Sequence, residues 1–166
     1  MSNKILSHNE IQFKIRRIAY QIFETFSEED RIVVAGIEGG GSSFAKRISD
    51  ILEEITEAEI IRCEIKINKE DPISSPISTD VPEAVYRDRC VVVVDVVLNS
   101  GTSLMYGVAH FLKTPLKKLK TAVLVNRNHK RYPVKADYKG ISLSTSLNEH
   151  VRVRFRKNND AVFLED

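Results

Sequence analysis

The chain has 166 residues, 42% of them hydrophobic, which suits one domain spanning 1–166 with a core of its own. No run approaches the ~20 consecutive apolar residues of a membrane span, the opening Met1-Ser2-Asn3-Lys4 leads into a polar, charged segment without secretory character, and Cys63 and Cys90 lack metal-ligand spacing and read as buried, reduced thiols of a cytoplasmic protein. Net charge is only +2, yet residues 113–157 hold thirteen Lys and Arg against two acids, a block that fits either an anionic partner (phosphate or nucleic acid) or a solvated face balanced elsewhere in the fold.

Ser7-His8-Asn9-Glu10 has the form of a capping box, in which Ser7 takes a free backbone N–H and Glu10 reaches back. Ile11, Ile15, Ile18, Ala19, Ile22 and Phe26 follow at helical spacing, so an amphipathic helix is expected over 8–26. Ile32-Val33-Val34-Ala35 is an apolar run of the kind buried on both faces of a sheet. It leads into Gly36-Ile37-Glu38-Gly39-Gly40-Gly41, after which Ser42 and Ser43 are placed to cap a helix with apolar positions 44, 45, 48, 51, 52 and 55. Residues 59–67 alternate as a strand with Ile61, Cys63, Ile65 and Ile67 on one face. Residues 68–83 contain three prolines and little apolar content, and predict a long flexible loop or a loose hairpin.

Cys90-Val91-Val92-Val93-Val94-Asp95 predicts a central parallel strand whose acid stands at the sheet's carboxyl edge. Leu104, Val108, Phe111 and Leu112 then suggest a helix stopped by Thr114-Pro115. Residues 121–125 predict another buried strand, and 141–143, 151–155 and 161–164 supply short strands. The β-loop-α order predicts an α/β fold with a mostly parallel sheet flanked by helices, binding its ligand beyond the carboxyl ends of the strands.

Two loops stand out there. Both 36–41 and the one containing Gly101 follow a buried strand and open a helix, where glycine permits close approach and free N–H groups favour anions. In the second, the hydroxyls of Ser100, Thr102 and Ser103 with the loop N–H groups form a cradle for a phosphate monoester, one strand-end from Asp95. None of the four histidines has metal-site spacing. Arg152, Arg154 and Arg156 alternate along one strand and so share a face, either a nucleic-acid stripe or an exposed sheet face or oligomer contact.

The apolar strand ending in Asp95, with Val97-Leu98-Asn99-Ser100-Gly101-Thr102-Ser103 after it, resembles the phosphoribosyl-diphosphate motif of the type I phosphoribosyltransferase superfamily. Arg16-Arg17-Ile18-Ala19, Gly36-Ile37, 122–129, 131–140 and Ser144-Thr145-Ser146 make the chain most similar to its pyrimidine-operon attenuator/uracil phosphoribosyltransferase branch. That resemblance implies the type I fold with a small hood region. It also implies transfer of a 5-phosphoribosyl group from phosphoribosyl diphosphate to a nucleobase, uracil being expected, with release of diphosphate and with Mg²⁺ bridging diphosphate and sugar but no side chain ligating the metal directly. Asp95 would bind the ribose hydroxyls as the catalytic residue, and Val97 to Ser103 would wrap the 5′-phosphate. Ile37, Glu38, Gly39, Gly40 and Gly41 would hold the diphosphate, and 68–83 would close over the site. Asn126, Arg127, Tyr138 and Lys139 would meet the base, with Tyr138 stacking on it.

Three positions depart from the family pattern. Val96 replaces a second acid, Glu38 stands where a base is usual, and Thr102 also replaces a base, which together imply weakened turnover. The alternative on the same fold is a nucleotide-sensing RNA-binding regulator with little turnover, using the basic 113–157 block. A homo-oligomer is expected in either case.

Overall fold

The computed structural model describes residues 1–166. The chain runs β1 (Ser2–Leu6), α1 (His8–Thr25), β2 (Arg31–Ile37), α2 (Gly40–Ile55), β3 (Glu59–Lys66), β4 (Ser78–Thr79), α3 (Glu83–Tyr86), β5 (Cys90–Leu98), α4 (Thr102–Phe111), β6 (Lys118–Arg127), β7 (Tyr138–Leu143), β8 (His150–Arg154) and β9 (Ala161–Glu165). Six strands form the main sheet in the order β4-β3-β2-β5-β6-β7, and β1-β9-β8 form a small antiparallel hood sheet. In the main sheet β3, β2, β5, β6 and β7 are parallel, and only β4 runs against its neighbour.

β2 has β3 on one side and β5 on the other, so the chain reverses its direction of winding between β2 and β5. The loops leaving these two strands diverge to opposite faces of the sheet and leave a crevice, the place where such folds bind ligands. The loops that follow Ile37 and Leu98 are the two glycine loops.

Burial follows the strand period. Val92 and Val94 of β5 join the cluster under α1 and α2, with Ile11, Ile15, Ile18, Phe44 and Ile48, while Val91 and Val93 join the opposite cluster with Leu104 and Phe111 of α4. The Ser7–Glu10 capping box is present in both directions, with the Glu10 N–H donating to Ser7 Oγ at 3.4 Å and the Ser7 N–H to Glu10 Oε2 at 2.7 Å.

Two local expectations are corrected, one unforeseen strand is added, and one open alternative is decided. β1 takes the polar N-terminus into the hood, where pairing with β9 supplies what its own sequence does not signal. β5 continues to Leu98, so Asp95 stands three residues inside the strand end. α2 begins at Gly40 behind an N-cap, Gly39, that makes no side-chain hydrogen bond, so Ser42 and Ser43 lie inside its first turn rather than at its cap, and Ser42 Oγ donates to Glu64 Oε2 at 2.7 Å. Of the two possibilities for 68–83 the hairpin holds: β4 returns against β3 through Ile65↔Thr79 and Lys66↔Ser78, and Asn68 Oδ1 accepts the N–H groups of Glu70 and Asp71.

The hood is tied to the main body through Asp160, whose side chain is fully buried. It accepts from Gln12 Nε2 at 2.8 Å, Arg47 Nη2 at 3.0 Å and the Arg156 N–H at 2.8 Å. A buried carboxylate is tolerated when paired and hydrogen-bonded in this way.

Candidate functional site

The loop after β5 closes around a cavity of about 50 Å³ lined by Asp95, Val97, Leu98, Asn99, Ser100, Gly101, Thr102, Ser103 and Leu104. Gly101 is its hinge. Its φ of 87° lies in the left-handed region, and a Cβ there would fall 2.7 Å from Val134 Cγ1, so both backbone and space demand glycine. The turn brings the Ser100 and Thr102 hydroxyls within 2.9 Å of each other, and the Thr102 N–H donates to Ser100 Oγ at 3.3 Å. The N–H groups of Arg131 and Tyr132 fasten the loop by donating to Ser100 O at 2.7 and 3.1 Å. Two hydroxyls and the start of α4 thus converge on one small space, the geometry suited to a single tetrahedral anion.

The other glycine loop faces this one across the crevice. Ile37 is fully buried with its side chain in the α4-side core, so only its backbone is available to a ligand. Glu38, Gly39 and Gly40 are exposed and Gly41 is buried. A Cβ on Gly40 would lie 2.9 Å from Val96 Cγ2, so the loop can run this close to β5 only because position 40 has no side chain. Val96 itself is 7% exposed and belongs to the α1–α2 core. It packs beneath α2 and shows only an edge to the crevice, whose lining it joins.

Asp95 connects the two loops. Its Oδ1 accepts the Val96 N–H at 2.8 Å and lies 3.3 Å from where a Gly41 Cβ would be, beside the first turn of α2. Burial pushes its carboxyl up to about 6, against the opposing pull of Lys69 and the Val96 N–H. Asp95 opens onto a cleft of about 310 Å³ that also meets Lys69, Arg127 and His150. A larger cavity of about 470 Å³ lies between Pro72–Ile77 and the outer face of α4, but it includes no residue of either glycine loop. Asp95 and the two glycine loops meet at the crevice and not at this cavity.

The expected base contacts divide. Asn126 and Arg127 end β6 at the ligand edge of the sheet, and Asn126 Nδ2 donates to Ser142 Oγ at 3.3 Å while its Oδ1 is buried without a partner. Arg127 is 3% exposed and largely committed to the loop before β8: its Nε donates to Thr145 Oγ1 and its Nη2 to Ser146 O and Glu149 O. Tyr138 does not stand at the site. It begins β7 opposite Ala122, is 8% exposed within the α1–α2 core, and its hydroxyl donates to Thr25 Oγ1 at 2.6 Å. Its polar tip satisfies a core contact, so the expectation that it stacks on a base does not fit its position. Lys139 is exposed one residue further along the same edge strand.

Sequence reasoning missed Lys69, His150 and Val151, all of which line the Asp95 cleft. Lys69 enters from the hairpin and the other two from the hood, far from the glycine loops in sequence. Only the expectation that 68–83 closes over the site pointed toward any of them.

The model of the phosphoribosyl transferase domain family matches residues 1–156. Among curated relatives, the bifunctional protein PyrR of Clostridium acetobutylicum is 33% identical over 162 residues, covering 92% of this chain and 90% of that protein. The bifunctional protein PyrR of Streptomyces coelicolor is 33% identical over 170 residues, covering 96% and 88%. Among solved structures, the hypoxanthine phosphoribosyltransferase of Trypanosoma cruzi superposes with a TM-score of 0.78 at 15% identity, over 96% of this chain and 95% of that one. A hypoxanthine-guanine phosphoribosyltransferase of Bacillus anthracis gives 0.71 at 22% identity, over 86% and 82%. At these identities the two structures speak for the fold alone.

Proposed function

Because the chain belongs to the phosphoribosyl transferase domain family, we propose that it moves a 5-phosphoribosyl group from phosphoribosyl diphosphate to a nucleobase, uracil, and releases diphosphate. The observation that carries this reading is the small cradle of Ser100, Gly101, Thr102 and Ser103 at the switch point of the sheet, with Asp95 beside it. The cradle would take the 5′-phosphate and Asp95 the ribose hydroxyls. The backbone of 37–41 would face the diphosphate, and Asn126 and Arg127 the base. The names of the relatives support a pyrimidine branch.

Transfer of this kind needs positioning and charge stabilisation rather than a covalent nucleophile. Holding both ends of the sugar phosphate fixes the anomeric carbon between leaving diphosphate and incoming base. Closure of the 68–83 hairpin would exclude water.

Mg²⁺ is tested by the donor set. No three His, Cys, Asp or Glu side chains gather into a metal site, and Asp95 is the one carboxylate lining the cleft. That set fits an ion that keeps most of its shell as water and substrate oxygens. Asp95 would hold such an ion indirectly, through the ribose hydroxyls, and the ion would supply charge neutralisation to the diphosphate.

The test is diphosphate release from phosphoribosyl diphosphate and Mg²⁺, assayed base by base. Release with uracil and not with purines is the expected outcome, and absence of release with every base tried defeats the reading.

A second reading is favoured by one observation. Val96, in place of the second acid, is packed in the core and offers nothing to a ribose. A nucleotide-sensing RNA-binding regulator with little turnover would need less of the catalytic equipment, and the relatives named bifunctional fit two roles on one fold. Arg152 and Arg154 stack over Phe163 at 4.5 and 5.1 Å on the hood. RNA affinity on this reading falls steeply with salt, and replacing both arginines with Ala flattens that slope. Absence of RNA binding at low salt removes it.

A further inference from the structure

The diphosphate loop carries an acid where its ligand carries negative charge. Glu38 is exposed on the loop, and at its foot Ser42 donates to a second carboxylate, Glu64. No Lys or Arg lies within 37–41. Backbone N–H groups alone would have to face a diphosphate across that repulsion.

One cation reaches the loop from outside. Lys69 Nζ stands 3.8 Å from where a Gly39 Cβ would be. It lines the Asp95 cleft together with Gly40 and Val96, and its charge lowers the Asp95 carboxyl against the effect of burial. It belongs to none of the chain's ion pairs. Arg127, the other strong cation of the cleft, is tied to Thr145, Ser146 and Glu149. His150 enters from the hood.

We propose that Lys69 is the cation of the diphosphate subsite, supplied by the β3–β4 hairpin in place of one on the loop. On this assignment Lys69 sets the preference between phosphoribosyl diphosphate and a nucleoside monophosphate. The inference rests on the phosphoribosyltransferase reading and deepens it. A monophosphate held by Ser100 to Ser103 needs nothing from Lys69, which is absent from that cavity's lining. A diphosphate against Gly39 and Gly40 depends on it. Lysine suits the task because its ammonium is a compact point charge on a flexible stem, able to follow a leaving group.

The test titrates the full chain, with Mg²⁺ present, against uridine monophosphate, inorganic diphosphate and phosphoribosyl diphosphate. Lys69→Ala is expected to weaken the two diphosphate ligands about ten- to a hundredfold, the effect of one charge-assisted hydrogen bond, and to move monophosphate affinity less than about twofold. Lys69→Arg keeps most of the diphosphate affinity. Glu38→Lys in the Lys69→Ala background returns the cation to the loop and restores it. Equal weakening of all three ligands, no weakening of any, or failure of Glu38→Lys to restore diphosphate binding overturns the assignment and leaves the transferase reading standing. A wild-type chain that binds none of the three ligands overturns both.

Discussion

Replacing Asp95 with Asn is expected to stabilise the ligand-free protein while removing its hold on a ribose. Burial raises the folded-state carboxyl from its ordinary 3.8 to about 6, and each pKa unit corresponds to about 1.4 kcal/mol. The ionised side chain therefore opposes folding by about 3 kcal/mol at most. The cleft leaves Asp95 partly open to water, so about 1–3 kcal/mol is the expected gain in Asp95→Asn at pH 7.5. The folded pKa lies above the unfolded one, so the contribution of Asp95 is fully present below about pH 4 and lost as pH rises through about 6. The stability gap between variant and wild type should therefore open between those values and stay level above them. Asn keeps an oxygen for the Val96 N–H, so that hydrogen bond survives. Thermal unfolding from pH 4 to 8 in metal-free buffer reads the effect. For a chain of this length the gain amounts to about 2–12 °C in Tm at pH 7.5. A parallel titration with uridine monophosphate should show affinity reduced about tenfold or more, because a neutral amide replaces a charged acceptor. A variant no more stable than wild type at pH 7.5, or a gap independent of pH, would refute burial as the cause of the shift.

Val96→Asp is expected to cost about 2–4 kcal/mol, because a carboxylate would enter the core under α2, with only part of the penalty offset by the positive end of that helix; a melt unchanged from wild type would mean that the side chain turns into the crevice. Gly101→Ala forces a left-handed φ on a residue with a Cβ aimed at Val134, and should lose about 1–3 kcal/mol along with most monophosphate affinity, measured by melting and titration. Tyr138→Phe removes the hydrogen bond to Thr25 and should cost about 0.5–1.5 kcal/mol with kcat and KM for the base unchanged, whereas a raised KM for the base would return Tyr138 to the site.

Local signals in the sequence settled much of the frame. Ser7 and Glu10 fixed the start of α1 because a capping box is complete within four residues. The unbroken valines of 91–94 announced a strand buried on both faces, and Gly101 a turn that other residues adopt only under strain. The order of strands, loops and helices was enough to put both glycine loops on one sheet edge, and the Asp95 loop carried the resemblance to the family. Tertiary structure decided what depends on partners distant in sequence. β1 exists because β9 pairs with it. Ser42 and Ser43 looked placed to cap α2, but the helix starts at Gly40 and takes both into its first turn, where Ser42 meets Glu64 of β3 at 2.7 Å. Tyr138 looked available to a ligand until α1 covered it and gave its hydroxyl to Thr25. Lys69 entered the site through a hairpin whose closure rests on two register pairs with β3. Whether a side chain faces a ligand or a neighbour depends on which surfaces the sheet and helices bury together, and that choice is made only when the whole chain packs.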